Sequence, residues 1–238
     1  MNDRGHLDVE LPAPGAAPSG PAATGLLKLD IGSRRDSYIY VPEHYRPDRP
    51  LPLVLLLHGA GGHAHDGLRI FLHLADHAGL ILAAPASHAT TWDIIAQRTY
   101  GPDLTMVGRT LEHVFARYAI DTEHVGIGGF SDGASYALTL GLANGELFSH
   151  LLALSPGFIG PIEPQGAPAI YISHGDADTV LPVDHCSRAI VHQLRAAGYP
   201  LTYREFKGGH IIPPEVATEA VDWFIGDHGQ ATHANAST

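Results

Sequence analysis

Cysteine is almost absent. The 238 residues contain one, Cys186, so no disulfide can form within the chain. A lone cysteine fits a reducing compartment. Charge is sparse too, at 16% of residues, and positive charge is the sparser kind: 14 Lys and Arg stand against 25 Asp and Glu, for a net charge of −11 with histidine neutral. That balance argues against nucleic acid as a partner, because phosphate contacts need clustered basic side chains. It also disfavours electrostatic docking on anionic lipid. Long apolar runs are missing as well. The longest centres on Leu53–Leu57, far short of the roughly 20 residues that a membrane-spanning helix requires. No apolar stretch follows Met1–His6, so no secretory signal is expected. These absences lead to the expectation of a cytoplasmic protein without stable membrane anchoring.

What is present is the composition of a packed domain. Hydrophobic residues make up 45% of the chain, enough for one substantial core at this length. Residues 1–24, rich in Pro, Ala and Gly from Leu11 onward, read as a loose leader, and the polar stretch 227–238 reads as a tail. The single domain is expected over residues 25–226. Leu26–Ile31 and Ser37–Val41 have the pattern of a hairpin. Leu53–Leu57, Ile81–Ala84, His124–Gly128, Leu151–Leu154, Ala169–Ser173 and Leu201–Phe206 are short apolar runs of the kind that form strands buried on both faces. Helical spacing occupies the intervals, at 65–77, 104–118, 134–143, 186–197 and 214–224. The alternation predicts a mostly parallel sheet of seven or eight strands with helices on both faces. Ligands bind such sheets at the carboxyl ends of the strands.

The motifs with chemical content lie at those ends. Gly129-Phe130-Ser131-Asp132-Gly133 sits between a strand and a helix. A serine there occupies a sharp turn that lifts its hydroxyl above the sheet, and the glycines allow helix and strand to approach closely. Ser131 is the candidate nucleophile; the bland alternative is a tight glycine-rich turn with a capping serine. The strand Leu53–Leu57 runs into His58-Gly59-Ala60-Gly61-Gly62. A tetrahedral intermediate needs amide donors aimed at its oxygen, and the candidates are the N–H groups of Ala60 and Asp132. His58, His63 and His65, with Asp66, raise the question of a metal site, but solvated loop histidines are the better reading and no metal is expected. His174-Gly175-Asp176-Ala177-Asp178 follows a later strand, and either Asp176 or Asp178 can serve by position as the acid of a triad. His210, behind Lys207-Gly208-Gly209 and the last strand, is the histidine placed to act as base. Cys186 lies outside all of these motifs and reads as a small buried hydrophobe.

Together these motifs resemble the α/β-hydrolase superfamily, and within it the phospholipase/carboxylesterase group and the related polyester-depolymerase-like esterases. The resemblance runs from Leu53 to about Phe224. It implies the α/β-hydrolase fold without a large cap domain and the chain order Ser131, Asp178, His210. It assigns the acid to Asp178, the fifth residue of the His-Gly-led motif, and it implies that no cofactor is needed. Where that group often has Gln after the nucleophile, this chain has Asp132. The function expected is serine-dependent hydrolysis of small-molecule carboxylic esters, with short- to medium-chain acyl groups, through an acyl-enzyme. Lysophospholipase and acyl thioesterase activities use the same machinery. A non-catalytic binding protein on this fold is the alternative of another class, disfavoured because all three triad positions are filled. The substrate is expected to meet Trp92, Phe130, Phe158 and Ile211 in a shallow, open site, with packing of its own loop an equal reading for Trp92. Helices beside an edge strand are compatible with a homodimer.

Overall fold

The computed structural model describes residues 5–13 and 22–226. Eight strands make one sheet: β1 (Gly25–Leu29), β2 (Ser37–Val41), β3 (Leu51–Leu57), β4 (Ile81–Ala84), β5 (Ile120–Phe130), β6 (His150–Leu154), β7 (Ala169–Gly175) and β8 (Leu201–Phe206). Their order across the sheet is β1-β2-β4-β3-β5-β6-β7-β8. From β4 to β8 every pairing is parallel, while β2 runs antiparallel to both β1 and β4. The hairpin thus supplies one reversed strand, second from the edge.

Strand β3 shows why the centre must be covered on both sides. Leu53, Leu55 and Leu57 enter one core cluster, whereas Val54 and Leu56 enter the other, and all five are fully buried. Alternation along a strand sends successive side chains to opposite faces. A continuous apolar run therefore needs helices on both. Burying each such side chain contributes about 1.5–3 kcal/mol.

The helices are α1 (Ala64–Leu68), α2 (Ala75–Ala78), α3 (Asp93–Ala96), α4 (Pro102–Arg117), α5 (Asp132–Ala143), α6 (Ser187–Ala196) and α7 (Pro214–Ile225). The helix expected over 65–77 is divided. Between α1 and α2 the backbone leaves helical geometry at Phe71 (φ −126°, ψ 0°), whose ring is fully buried, and resumes as a 3-10 turn at Leu72–Leu74. Burial of one large ring here outweighs continuity of the helix. Gly79, in the left-handed region at φ 65°, ends α2. Helix α5 is the inner helix: its residues from Gly133 to Ala143 are all buried.

Of the stretch expected to be a loose leader, residues 5–13 lie on the domain. The Asn144 side chain donates to the Gly5 carbonyl at 2.9 Å and accepts from the Leu7 amide at 2.7 Å. Leu7, Val9 and Leu11 pack against the core. The expected polar tail, 227–238, lies outside the described residues. No helix of the described residues is long and apolar enough to cross a membrane, and none of them forms a separate cap over the sheet.

Candidate active site

The carboxyl ends of β3, β5, β7 and β8 meet at one place. At the end of β5 the chain turns through Ser131 with φ 58° and ψ −121°, a left-handed conformation that a non-glycine residue holds only under strain. Two flanking glycines make the turn possible. A Cβ on Gly129 would lie 2.6 Å from the Leu57 carbonyl oxygen, and one on Gly133 would collide with the same atom. The strain lifts the Ser131 hydroxyl off the sheet.

Ser131 Oγ lies 2.9 Å from His210 Nε2, and His210 Nδ1 lies 2.6 Å from Asp178 Oδ2. A carboxylate can only accept, so Nδ1 carries the ring proton and Nε2 is free to accept from the serine hydroxyl. The other oxygen of Asp178, Oδ1, accepts the Val180 and Leu181 amides at 2.9 Å each. Burial, the largest single influence, pushes the Asp178 carboxyl up. The Leu181 amide, the His210 ring and the Val180 amide together outweigh it and hold the group below the usual carboxylate range. Asp176 has a different employment. It pairs with Lys207 and accepts the Gly208 amide at 3.2 Å, and these contacts depress its pKa. The two acids after β7 therefore divide: one meets the His210 ring and the other ties down the loop that carries it. The Ala177 amide donates to the Gly208 carbonyl at 2.9 Å and strengthens that tie. The Phe130 ring packs on His210 at a centroid distance of 4.6 Å.

The loop after β3 stands across the serine, where the position of a Gly59 Cβ is 3.5 Å from Ser131 Cβ. Ala60 is exposed, and among the described residues no acceptor engages its amide. Asp132 opens α5, so its N–H lies in the first turn, where no helical carbonyl can reach it. Both candidate donors are thus open to a ligand. The loop itself is held from below. The Gly61 amide donates to the Thr90 carbonyl at 2.7 Å, and the Trp92 indole N–H donates to the His58 carbonyl at 2.8 Å. His58 is buried, with Nδ1 at 2.7 Å from the Gly59 carbonyl and Nε2 at 3.1 Å from the Ser87 amide. Burial lowers its pKa, so the ring is neutral with its proton on Nδ1.

Trp92 is the correction among the expected substrate contacts. It is fully buried and stacks on Tyr136 at 5.2 Å, so it supports the loop after β3 and has no surface to offer a ligand. Phe158 (39% exposed) and Ile211 (54% exposed) do face solvent. Phe158 lines a cavity of 350 Å³ with Ile94, Ile95, Arg98 and Ile159, while Phe130 lines another of 270 Å³ with Gly59, Ile70 and Ile212. The aromatic contacts thus fall in two grooves. The three histidines weighed as metal ligands separate: His58 is engaged as above, His63 meets Arg35, and His65 lies on the Tyr38 ring at 4.0 Å. Among the described residues no three His, Cys, Asp or Glu groups are placed to share an ion.

Two features of the site have no signal in the sequence. The Thr91 hydroxyl donates to Asp132 Oδ2 at 2.6 Å, turning that carboxylate toward the 87–102 loop. His174, inside the His-Gly-led motif, reaches Asp178 Oδ2 at 3.2 Å. Their partners lie 41 and 4 residues away along the chain, and only folding brings the first pair together.

Comparison with known proteins agrees with this architecture. No protein-family model matches the chain. The chain is 27% identical over 211 residues to a putative esterase, NocK, of Nocardia uniformis subsp. tsuyamanensis, covering 75% of this chain and 60% of that protein. It is 27% identical over 195 residues to a probable feruloyl esterase C of Aspergillus flavus, covering 73% and 71%. It therefore spans less than two thirds of the first of these relatives. The crystal structure of S-formylglutathione hydrolase from Staphylococcus aureus superposes with a TM-score of 0.68 at 16% identity, covering 87% of this chain and all of that one. The fold is that of the α/β-hydrolases.

Proposed function

We propose that this α/β-hydrolase-fold chain hydrolyses carboxylic esters, with Ser131 as nucleophile, His210 as general base and acid, and Asp178 as the group that orients and balances His210. The observation that carries the reading is the unbroken hydrogen-bond chain Ser131–His210–Asp178, presented on a strained turn. His210 Nε2 takes the serine proton as Oγ attacks the ester carbonyl. The tetrahedral oxyanion is met by the Ala60 and Asp132 amides, at the N-terminus of α5, where negative charge is favoured. His210 then delivers its proton to the departing alcohol and an acyl-Ser131 remains. Water, deprotonated by the same ring, attacks that acyl group and releases the acid. Asp178 stays ionised throughout and stabilises the imidazolium.

Short- and medium-chain acyl groups suit grooves of 350 and 270 Å³ and the lack of a cap among the described residues. The leaving alcohol belongs on the Phe130 and Ile212 side, because His210 must reach its oxygen. The relatives' esterase names support the reaction class, and a feruloyl ester is a worthwhile aromatic member of any substrate panel.

The test is a fluorophosphonate probe with the adduct mapped by mass spectrometry, followed by a p-nitrophenyl ester ladder, a feruloyl ester, a lysophospholipid and an acyl thioester. Labelling of Ser131 and fastest turnover of short oxygen esters are expected. Ser131→Ala should lose turnover by about a millionfold while keeping its melting temperature; an active variant would sink the assignment. Folded protein that takes no label would bring the binding-protein reading forward.

A further inference from the structure

We infer that His174 is a positioning residue for this site: held by Ser187, its imidazole keeps the Asp178 carboxylate turned toward His210 and withdraws part of that carboxylate's charge. The inference rests on the proposed ester hydrolysis and adds a group that does not touch substrate.

His174 belongs to β7 and is fully buried. Its Nε2 lies 2.8 Å from the Leu181 carbonyl oxygen and 3.2 Å from Asp178 Oδ2. Both of those atoms can only accept, so Nε2 carries the ring proton: it donates to the Leu181 carbonyl and presents its N–H edge to Asp178 Oδ2 at the longer distance. Its Nδ1 lies 2.6 Å from Ser187 Oγ. With the proton on the opposite nitrogen, Nδ1 accepts from the serine hydroxyl. Burial lowers the pKa of the ring, against smaller opposing effects from the Leu181 carbonyl and Asp178, so His174 is neutral. Ser187 is itself fully buried at the start of α6. The hydrogen bonds therefore run from Ser187 through His174 to the Leu181 carbonyl, with His174 Nε2 also 3.2 Å from Asp178 Oδ2, and from Ser131 through His210 into that same carboxylate oxygen.

Two consequences follow from that geometry. Asp178 is held at both oxygens, Oδ1 by two amides and Oδ2 by the His210 hydrogen bond with the His174 N–H beside it, so its carboxylate plane has little freedom to turn. A donor on Oδ2 also spreads the negative charge that His210 feels. Removing it leaves a more strongly charged carboxylate beside His210 and raises the proton affinity of that ring. A histidine that only filled space under the loop would produce neither effect. The titratable groups facing His174 and Asp178 are His210 and the Cys186 thiol, whose pKa is pushed up by burial and then by the Asp178 charge.

The experiment uses the full chain, fluorophosphonate labelling, and p-nitrophenyl acetate kinetics between about pH 5 and 9. His174→Phe keeps a ring of similar size without a donor. We expect kcat to fall about tenfold with KM changed less than about twofold, and the acid limb of kcat/KM to move up by about half a pH unit. His174→Gln, whose amide can still donate to Asp178, should recover most of the rate and the original limb. If the phenylalanine variant does not fold, Ser187→Ala frees the ring without touching Asp178, and a loss of about threefold with the same upward limb is expected. Wild-type kcat and an unmoved limb in the folded His174→Phe or, failing that, Ser187→Ala variant, or a loss confined to melting temperature, would overturn the inference. An active, labelled wild type with unaltered variants removes this inference alone. A wild type that neither labels nor turns over removes the ester-hydrolase reading beneath it.

Discussion

Asp178 and the pair Asp93–Asp103 are buried to the same extent, at 6%, 4% and 1% exposure, yet burial ends in opposite results. Asp178 accepts from two amides and the His210 ring, which together outweigh its burial, and its pKa falls. Asp93 and Asp103 hold each other. The Asp93 amide donates to Asp103 Oδ2 at 2.7 Å, and the Asp103 amide donates to Asp93 Oδ2 at 3.1 Å. Gly101, Ile94 and His88 supply further amides. Burial pushes Asp103 up to about 6, the His88 amide opposes it, and the Asp93 charge adds to the rise; Asp93 is raised for the same first reason. Both sites are rich in donors. Burial is the first influence on all three; two amides and the His210 ring outweigh it at Asp178, the amides alone do not outweigh it at Asp93, and the Asp93 charge adds to it at Asp103. The first arrangement keeps a charge ready at the proposed reaction centre. The second folds the 88–103 loop under the loop after β3 and holds best when protonated.

The sharpest way to break this comparison is to neutralise each acid in turn. Asp178→Asn should reduce kcat by roughly ten-thousandfold, because the amide favours the wrong His210 tautomer. Asp103→Asn should change kcat by less than about tenfold, since it touches only the loop's support. Equal losses in the two would mean that the loop pair takes part in the chemistry.

The pH dependence of stability follows with opposite signs. The folded pKa of Asp103 lies above its unfolded value of 3.8. Its contribution is therefore complete below about 3.8 and is lost as pH rises through about 6. The folded pKa of Asp178 lies below 3.8, so its contribution is present above that value and is lost as pH falls. A melting temperature measured against pH should pass through a maximum between about 4 and 6 and decline by a few degrees toward pH 7. Asp103→Asn should flatten the decline on the alkaline side and leave the acid side in place.

A smaller effect is expected from the support of the loop after β3, which carries the proposed Ala60 donor. Trp92→Phe keeps the stacking on Tyr136 but loses the donor to the His58 carbonyl. It should cost about 1 kcal/mol of stability and lower kcat about fivefold with KM steady; a changed KM alone would return Trp92 to the substrate. The smallest change should come from Thr91→Val, which frees the half-buried Asp132 carboxylate and should alter kcat/KM by about twofold or less, read on neutral against cationic esters.

Much of this was legible in the sequence because it depends on neighbours along the chain. The continuous apolar run at Leu53–Leu57 can be satisfied only in the middle of a covered sheet. The glycines at 129 and 133 leave Ser131 few conformations but a turn between strand and helix. His210 follows the last strand by four residues. The helix over 65–77 was less legible, since periodicity does not reveal that Phe71 turns inward and divides it. Trp92 was ambiguous for a related reason: a tryptophan in a loop reads equally as a surface contact or a strut, and only its burial among His58 and Tyr136 distinguishes them.

The sequence by itself therefore determined which segments become buried strands and where the sharp turn falls, through side-chain periodicity and the absence of Cβ atoms at close approaches. By position the residues left both acids after β7 open, and the resemblance favoured Asp178; the tertiary structure shows that Asp178 is the one facing His210. Asp176 and Asp178 are two residues apart and equal in kind, but a loop turns them to different partners. One met a lysine in solvent, and the other met two imidazoles and two amides out of water.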